Sequence, residues 1–252
     1  MIQLNLSLIG NVRQSLQYNV SPLFEMAASL QAIAQSSRAC QSHTSSLHYP
    51  WIEETLQRFK EEDLLAEWEY LSPIFAHDIP AFLTSHESYQ ANGIEQQYDY
   101  LVDLPNEVFV QAILDVFSQR TEEDPSLTPV EQDLADKPKV VKARFTLFLC
   151  TFMQSIFESK WEQLAPKLVL DIESKSSILL SHPDLVQLLR SWFPTIQYDV
   201  ETECISIPRP KNSPDDTSLP ITSLVLSPSW FIGEPSFKII ADKLCVTYGI
   251  AA

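Results

Sequence analysis

The chain has four glycines in 252 residues, Gly10, Gly93, Gly233 and Gly249, where average usage would supply roughly 18. Phosphate-cradling loops, dinucleotide fingerprints and the Gly-x-Ser-x-Gly elbow each need two or more glycines within a few residues, because their backbones turn tightly and approach the ligand closely. The closest pair here is sixteen residues apart, so none of these signatures can be written. Cysteine is scarce too. Cys40, Cys150, Cys204 and Cys245 are scattered without a C-x-x-C pair, a pattern suited to free thiols in a reducing cytoplasm. Basic residues are few, 17 against 33 acids, for a formal charge of −16. Such a chain repels a phosphate backbone, so direct nucleic-acid binding is not expected. The most apolar run, Phe145 to Met153, spans nine residues, well short of the roughly 20 that cross a bilayer. The N-terminus lacks the basic leader and apolar core of a signal peptide. A cytoplasmic protein with no membrane segment is expected.

What is present is apolar periodicity. With 45% hydrophobic residues the chain can bury a substantial core. Ile2, Leu4, Leu6 and Leu8, then Val12, Leu16, Tyr18 and Val20, keep a period of two on either side of Gly10-Asn11, which predicts an opening β-hairpin. Ser21-Pro22 supplies a capping hydroxyl and a proline at the first helical position, and Leu23, Met26, Ala27, Leu30 and Ala34 follow on one helical face. Pro50-Trp51 opens a second helix, which Leu64, Leu65, Trp68 and Leu71 extend or succeed. A third runs from Pro105 to near Phe117, with Val108, Ile113, Val116 and Phe117 as its expected buried positions.

Residues 118–136 read as an acidic surface connection in which Thr128-Pro129-Val130-Glu131 has capping-box spacing. From Pro138 the longest helical pattern begins, with Val141, Phe145, Phe148, Phe152, Ile156 and Trp161 recurring at three to five residues. Pro166 is expected to bend or restart it, and a last helix covers Pro183 to Phe193. After Pro194 the period returns to two, in strands near 196–200, 204–207, 221–226, 237–240 and 244–248. The reading is one α+β domain over residues 1–252: a hairpin (1–20), a helical region (21–194) and a β-rich region (195–252). The two sets of strands share one antiparallel or mixed sheet under a predominantly helical layer, since neither covers its apolar face alone.

Several constellations invite chemistry. Cys40, His43 and His48 offer three ligand atoms in nine residues, but a zinc site needs a fourth, and the simpler reading is a polar loop with incidental histidines. His77-Asp78 and His86-Glu87 supply base and acid without a strained nucleophile turn. Lys137, Lys139, Lys142 and Arg144 sit at the start of the core helix, where positive charge opposes the macrodipole. The ordinary offset is the acidic stretch of Glu122, Glu123, Asp124, Glu131, Asp133 and Asp136; the sharper one is an anionic ligand. The aromatic stripe of Phe145, Phe148, Phe152, Phe157 and Trp161, joined by Trp51 or Trp68, suits either a packed core or an apolar effector pocket. Trp51, Trp68, Lys142, Arg144, Phe145, Phe148, Phe152 and Trp161 are therefore the candidate ligand-binding residues. No catalytic residue, metal or cofactor is assigned.

Three stretches, in order, resemble the long N-terminal region of bacterial ArsR-type winged-helix transcription regulators. They are Val20-Ser21-Pro22-Leu23-Phe24-Glu25-Met26-Ala27-Ala28-Ser29-Leu30 with Leu47-His48-Tyr49-Pro50-Trp51-Ile52; Phe157 to Pro166; and Leu224-Val225-Leu226-Ser227-Pro228-Ser229-Trp230-Phe231 with Leu244 to Gly249. The resemblance implies a non-enzymatic regulatory region that binds a small effector, dimerises, or both, and reaches DNA only through a winged helix outside this chain, which stops at Ala252. Metal sites of short ArsR repressors lie in the winged helix, so they do not transfer to Cys40, His43 or His48. The rivals are a small-molecule enzyme with an unrecognised site and a purely structural dimerisation module.

Overall fold

A computed structural model describes residues 2–5, 16–38, 48–84, 94–118, 127–179, 181–207, 223–240 and 243–250. The fold is α+β. The chain divides into two compact units, residues 21–165 and residues 1–20 with 166–251.

The unit of residues 21–165 is helical. Helix α1 (Pro22–Arg38) starts where Ser21 Oγ accepts from the Phe24 N–H at 3.2 Å. It is buried on nearly every side, from Leu23 through Ala34, which matches its small and apolar composition. Helices α2 (Tyr49–Glu61) and α3 (Leu65–Leu71) are separate, joined through Asp63 at φ 56°. Helix α4 (Ile94–Asp103), which periodicity did not single out, is tied down by Tyr98 and Tyr100, whose hydroxyls donate to the carbonyls of Cys150 and Phe82.

Helix α5 (Asn106–Phe117) buries Phe109, Ala112, Ile113, Val116 and Phe117, while Val108 stands 47% exposed. The expected burial of Val108 is corrected: the larger Phe109 takes the inward position. Helix α6 (Pro129–Asp136) carries the capping box, with Glu131 Oε2 accepting from both the N–H and the hydroxyl of Thr128 at 2.7 Å.

Helix α7 (Pro138–Phe152) continues through a π-helical turn, Met153–Phe157, into α8 (Glu158–Ile178). The extra residue of the π turn re-phases the apolar stripe, so that Phe152 and Phe157, five apart, both stay buried with ring centroids 6.0 Å apart. A carbonyl of this turn is satisfied by a side chain, since the Arg58 guanidinium donates to Ser155 O. The helix does not restart at Pro166, which lies inside α8. Both Pro166 and Glu162, whose carbonyl the ring displaces, are solvent-exposed, so water can take over the lost backbone bond. Residues 138–178 form a helix long and apolar enough to span a membrane, as buried core helices also are, and Val141, Phe145, Phe148, Leu149 and Phe152 on it are buried in the helical unit.

In the second unit, α9 (His182–Trp192) opens on a Ser181–Asp184 capping box. Strands β1 (Ile2–Asn5), β3 (Gln197–Asp199) and β4 (Cys204–Ile207) form a small antiparallel sheet in the order β1-β4-β3. Strands β2 (Leu16–Tyr18), β5 (Ser223–Ser229), β6 (Ser236–Ile240) and β7 (Lys243–Gly249) form a mixed sheet in the order β2-β5-β7-β6, with β2, β5 and β7 parallel and β6 antiparallel to β7. The hairpin of residues 2–20 is corrected: β1 and β2 belong to different sheets, each paired with a strand from beyond residue 200. Strands from the two ends of the chain do pair, but in two sheets rather than the one expected, so that expectation is corrected as well. Leu224, Leu226, Leu244, Val246 and Tyr248 from the mixed sheet, Ile205 from the small one, and Leu179, Leu185, Val186 and Leu189 build one core.

Candidate functional site

The aromatic stripe on α7 is packed ring against ring. Phe148 lies 5.9 Å from Phe59, 6.0 Å from Trp68 and 6.1 Å from Phe152, centroid to centroid. Phe145 lies 5.8 Å from Phe75 and from Phe82, and 5.4 Å from Phe109. Each of Phe145, Phe148 and Phe152 is at most 1% exposed and Trp68 is 4% exposed. These stacked and edge contacts, between rings almost wholly out of solvent, are those of an aromatic core. Trp51 on α2 and Trp161 on α8 are half-buried.

The cations have protein partners. Arg144 makes a bidentate pair with Glu67, Nε to Oε1 at 2.8 Å and Nη2 to Oε2 at 2.9 Å, and its guanidinium lies 3.5 Å from the Tyr70 ring centroid. Tyr70 in turn donates to Asp133 Oδ2 at 3.0 Å. Lys142 donates to the carbonyls of Val102, at 2.7 Å, and Leu104, so its charge meets the negative end of the α4 dipole. Among the described residues the offset to Arg144 and Lys142 comes from Glu67 and the last carbonyls of α4, with Asp133 acting through Tyr70. Glu122, Glu123 and Asp124 lie outside the described residues, as do Cys40 and His43. His48 is buried at the start of α2, where burial and then Lys160 lower its pKa. Among the described residues no group of three or more His, Cys, Asp or Glu is placed to hold a metal ion.

A polar cluster that sequence reasoning passed over lies at the C-terminal ends of the parallel strands. Tyr248 donates to Asp171 Oδ2 at 2.8 Å, Lys175 pairs with Asp171 Oδ1 at 2.5 Å, and the Lys175 ammonium sits 4.6 Å from the Tyr248 ring centroid. Trp192 stacks on Tyr248 at 4.4 Å. Tyr18 ends β2 close by, where burial above all and the charge of Asp171 raise its pKa. Asp171 and Lys175 stand at i,i+4 on α8, the one signal in the sequence that pointed here. Beside Lys175 opens a cleft of about 260 Å3 lined by Lys175, Ile178, Leu179, Asp184, Gln187, Leu188 and Ser191.

Several groups are held neutral by their surroundings. Burial, then the bond to Asp133, pushes Tyr70 up to about 12; burial, then Cys150, pushes Tyr98 up to about 12; burial pushes Cys245 up to about 11. Tyr248 is raised further, by burial and then by its bond to Asp171. Each group binds its proton more tightly folded than unfolded. Its contribution is therefore complete below the unfolded pKa, near 9 for the thiol and 10 for the phenols, and is lost as pH rises through the folded value. The melting temperature should fall steeply between about pH 9 and pH 12, with tyrosinate absorbance lagging behind that of free tyrosine until unfolding. A melting temperature flat to pH 11 would contradict this assignment.

Comparison with family models, with curated proteins and with solved structures gives no match.

Proposed function

We propose that this chain is a regulatory module, neither catalytic nor itself DNA-binding, of the kind that precedes the winged helix in ArsR-like bacterial regulators, working in the cytoplasm as a homodimer that answers to a small effector. One observation carries the reading. Arg144 and Lys142, two of the four cations at the start of α7, are bound to Glu67 and to backbone carbonyls, which halves what that cluster can offer a phosphate backbone in a molecule of charge −16. The resemblance also falls on residues that build the fold: Ser21 caps α1, Phe157 closes the π turn, and Leu224 to Ser229 and Leu244 to Gly249 are the adjacent parallel strands β5 and β7.

Coupling to an attached reading head requires unequal effector affinity in two conformations. The solid packing around Phe148 favours a second reading for the helical unit, a structural dimerisation module. Val140 and Leu147, seven residues apart on α7, are 53% and 68% exposed and offer an apolar contact.

Sedimentation velocity of the chain with a fluorescent DNA duplex at about 0.15 M salt tests both readings. The protein should sediment as a dimer while the duplex keeps its own rate. Submicromolar co-sedimentation of duplex would overturn the proposal, and a monomer at micromolar concentration would remove dimerisation from it.

A further inference from the structure

The cleft beside Lys175 has the chemistry of a small-molecule site. Ile178, Leu179 and Leu188 give it an apolar lining, and Ile178 is 63% exposed at a position where an uncovered branched side chain gains nothing from water. Its volume, about 260 Å3, lies just under the usual range for ligand pockets and suits a molecule of single-ring size. The polar groups are few. Lys175 is fixed from behind by Asp171 and by the Tyr248 ring, and an ammonium has three N–H donors, so it can present a further donor without breaking that pair. Asp171 already balances its charge, and Asp184, holding Ser181 through Oδ2, adds a carboxylate to the lining. An anion is therefore repelled, and a neutral acceptor is the best match to the lysine.

We infer that this cleft between α8 and α9 binds a neutral, mostly apolar molecule of single-ring size, whose carbonyl or ether oxygen accepts from Lys175. The inference rests on the effector reading and supplies its site and ligand class. Lys175 in the lining touches the Tyr248 ring, which stacks on Trp192, so two contacts connect the site to a fluorescent ring.

The test uses acetophenone as probe, with benzoate and benzylamine as charged counterparts, followed by saturation-transfer NMR on the full chain and by tryptophan fluorescence. Gln187→Phe fills the cleft from an exposed position, and its melting temperature verifies that it folds. Acetophenone should bind, and Gln187→Phe should weaken it about tenfold, while Trp192→Phe abolishes the fluorescence change and leaves the NMR signal. Absence of saturation transfer, stronger binding of either charged probe, or binding indifferent to Gln187→Phe would each overturn the inference. Co-sedimentation with duplex would sink the regulatory reading and leave the cleft result standing.

Discussion

Phe148→Ala should destabilise the helical unit by about 3–5 kcal/mol, the range for deleting a buried phenyl group, and lower the melting temperature by roughly 10 °C. The ring is 1% exposed and touches Phe59, Trp68 and Phe152. Phe59 and Trp68 belong to α2 and α3 and Phe152 to the next turn of α7 itself, so they cannot collapse far into the space left behind. Leu114→Ala, on α5 of the same unit and 47% exposed, should stay within about 0.5 kcal/mol. Thermal and urea unfolding of the two variants decides whether the stripe is core. A loss under about 1 kcal/mol for Phe148→Ala would mean that the rings border open space and would return them to the list of effector contacts.

That distinction could not be made from the sequence. A stripe of aromatic residues at helical spacing has the same period whether it meets other rings or a ligand; only the partners, Phe59 and Trp68 on α2 and α3, resolve it. Local signals were legible where the chain satisfies itself locally. The Ser21 cap, the Thr128 capping box, the strand pair around Glu203 and the β6-β7 hairpin, with Ile240 opposite Lys243, are each written within a few residues.

The opening hairpin failed because alternation and a Gly-Asn pair specify strands and a turn but not which strand is the neighbour. Leu16 and Tyr18 pair instead with Leu224 and Leu226, more than 200 residues away. For a related reason Pro166 does not restart the helix. A proline ends a helix whose displaced carbonyl has no other partner, and here Glu162, which carries that carbonyl, is solvent-exposed. The Tyr248–Asp171–Lys175 cluster was half legible: the i,i+4 pair stands in the sequence, while its aromatic cover arrives from β7 and α9.

The two described glycines should respond oppositely to the same substitution. Gly249 closes β7 opposite Ser229, and a Cβ built there would stand 2.4 Å from the backbone oxygen of Ile232. That oxygen cannot withdraw, because its turn is fixed at several points. Ser229 Oγ accepts from the N–H groups of Phe231 and Ile232, each at 3.2 Å, and the Ile250 N–H donates to Ser229 O at 2.9 Å. Gly249→Ala must therefore separate β7 from the β5 turn or break these bonds, at a cost of about 3 kcal/mol or more. A Cβ at Gly233 meets nothing within 4 Å, and Gly233→Ala should be neutral or stabilising by up to about 1 kcal/mol through the unfolded chain. Urea unfolding of the pair, followed by Trp192 fluorescence against Tyr248, gives the comparison directly. Coincident transitions would show that the 229–232 turn gives way without loss and that the close approach at Gly249 does not hold the parallel sheet together.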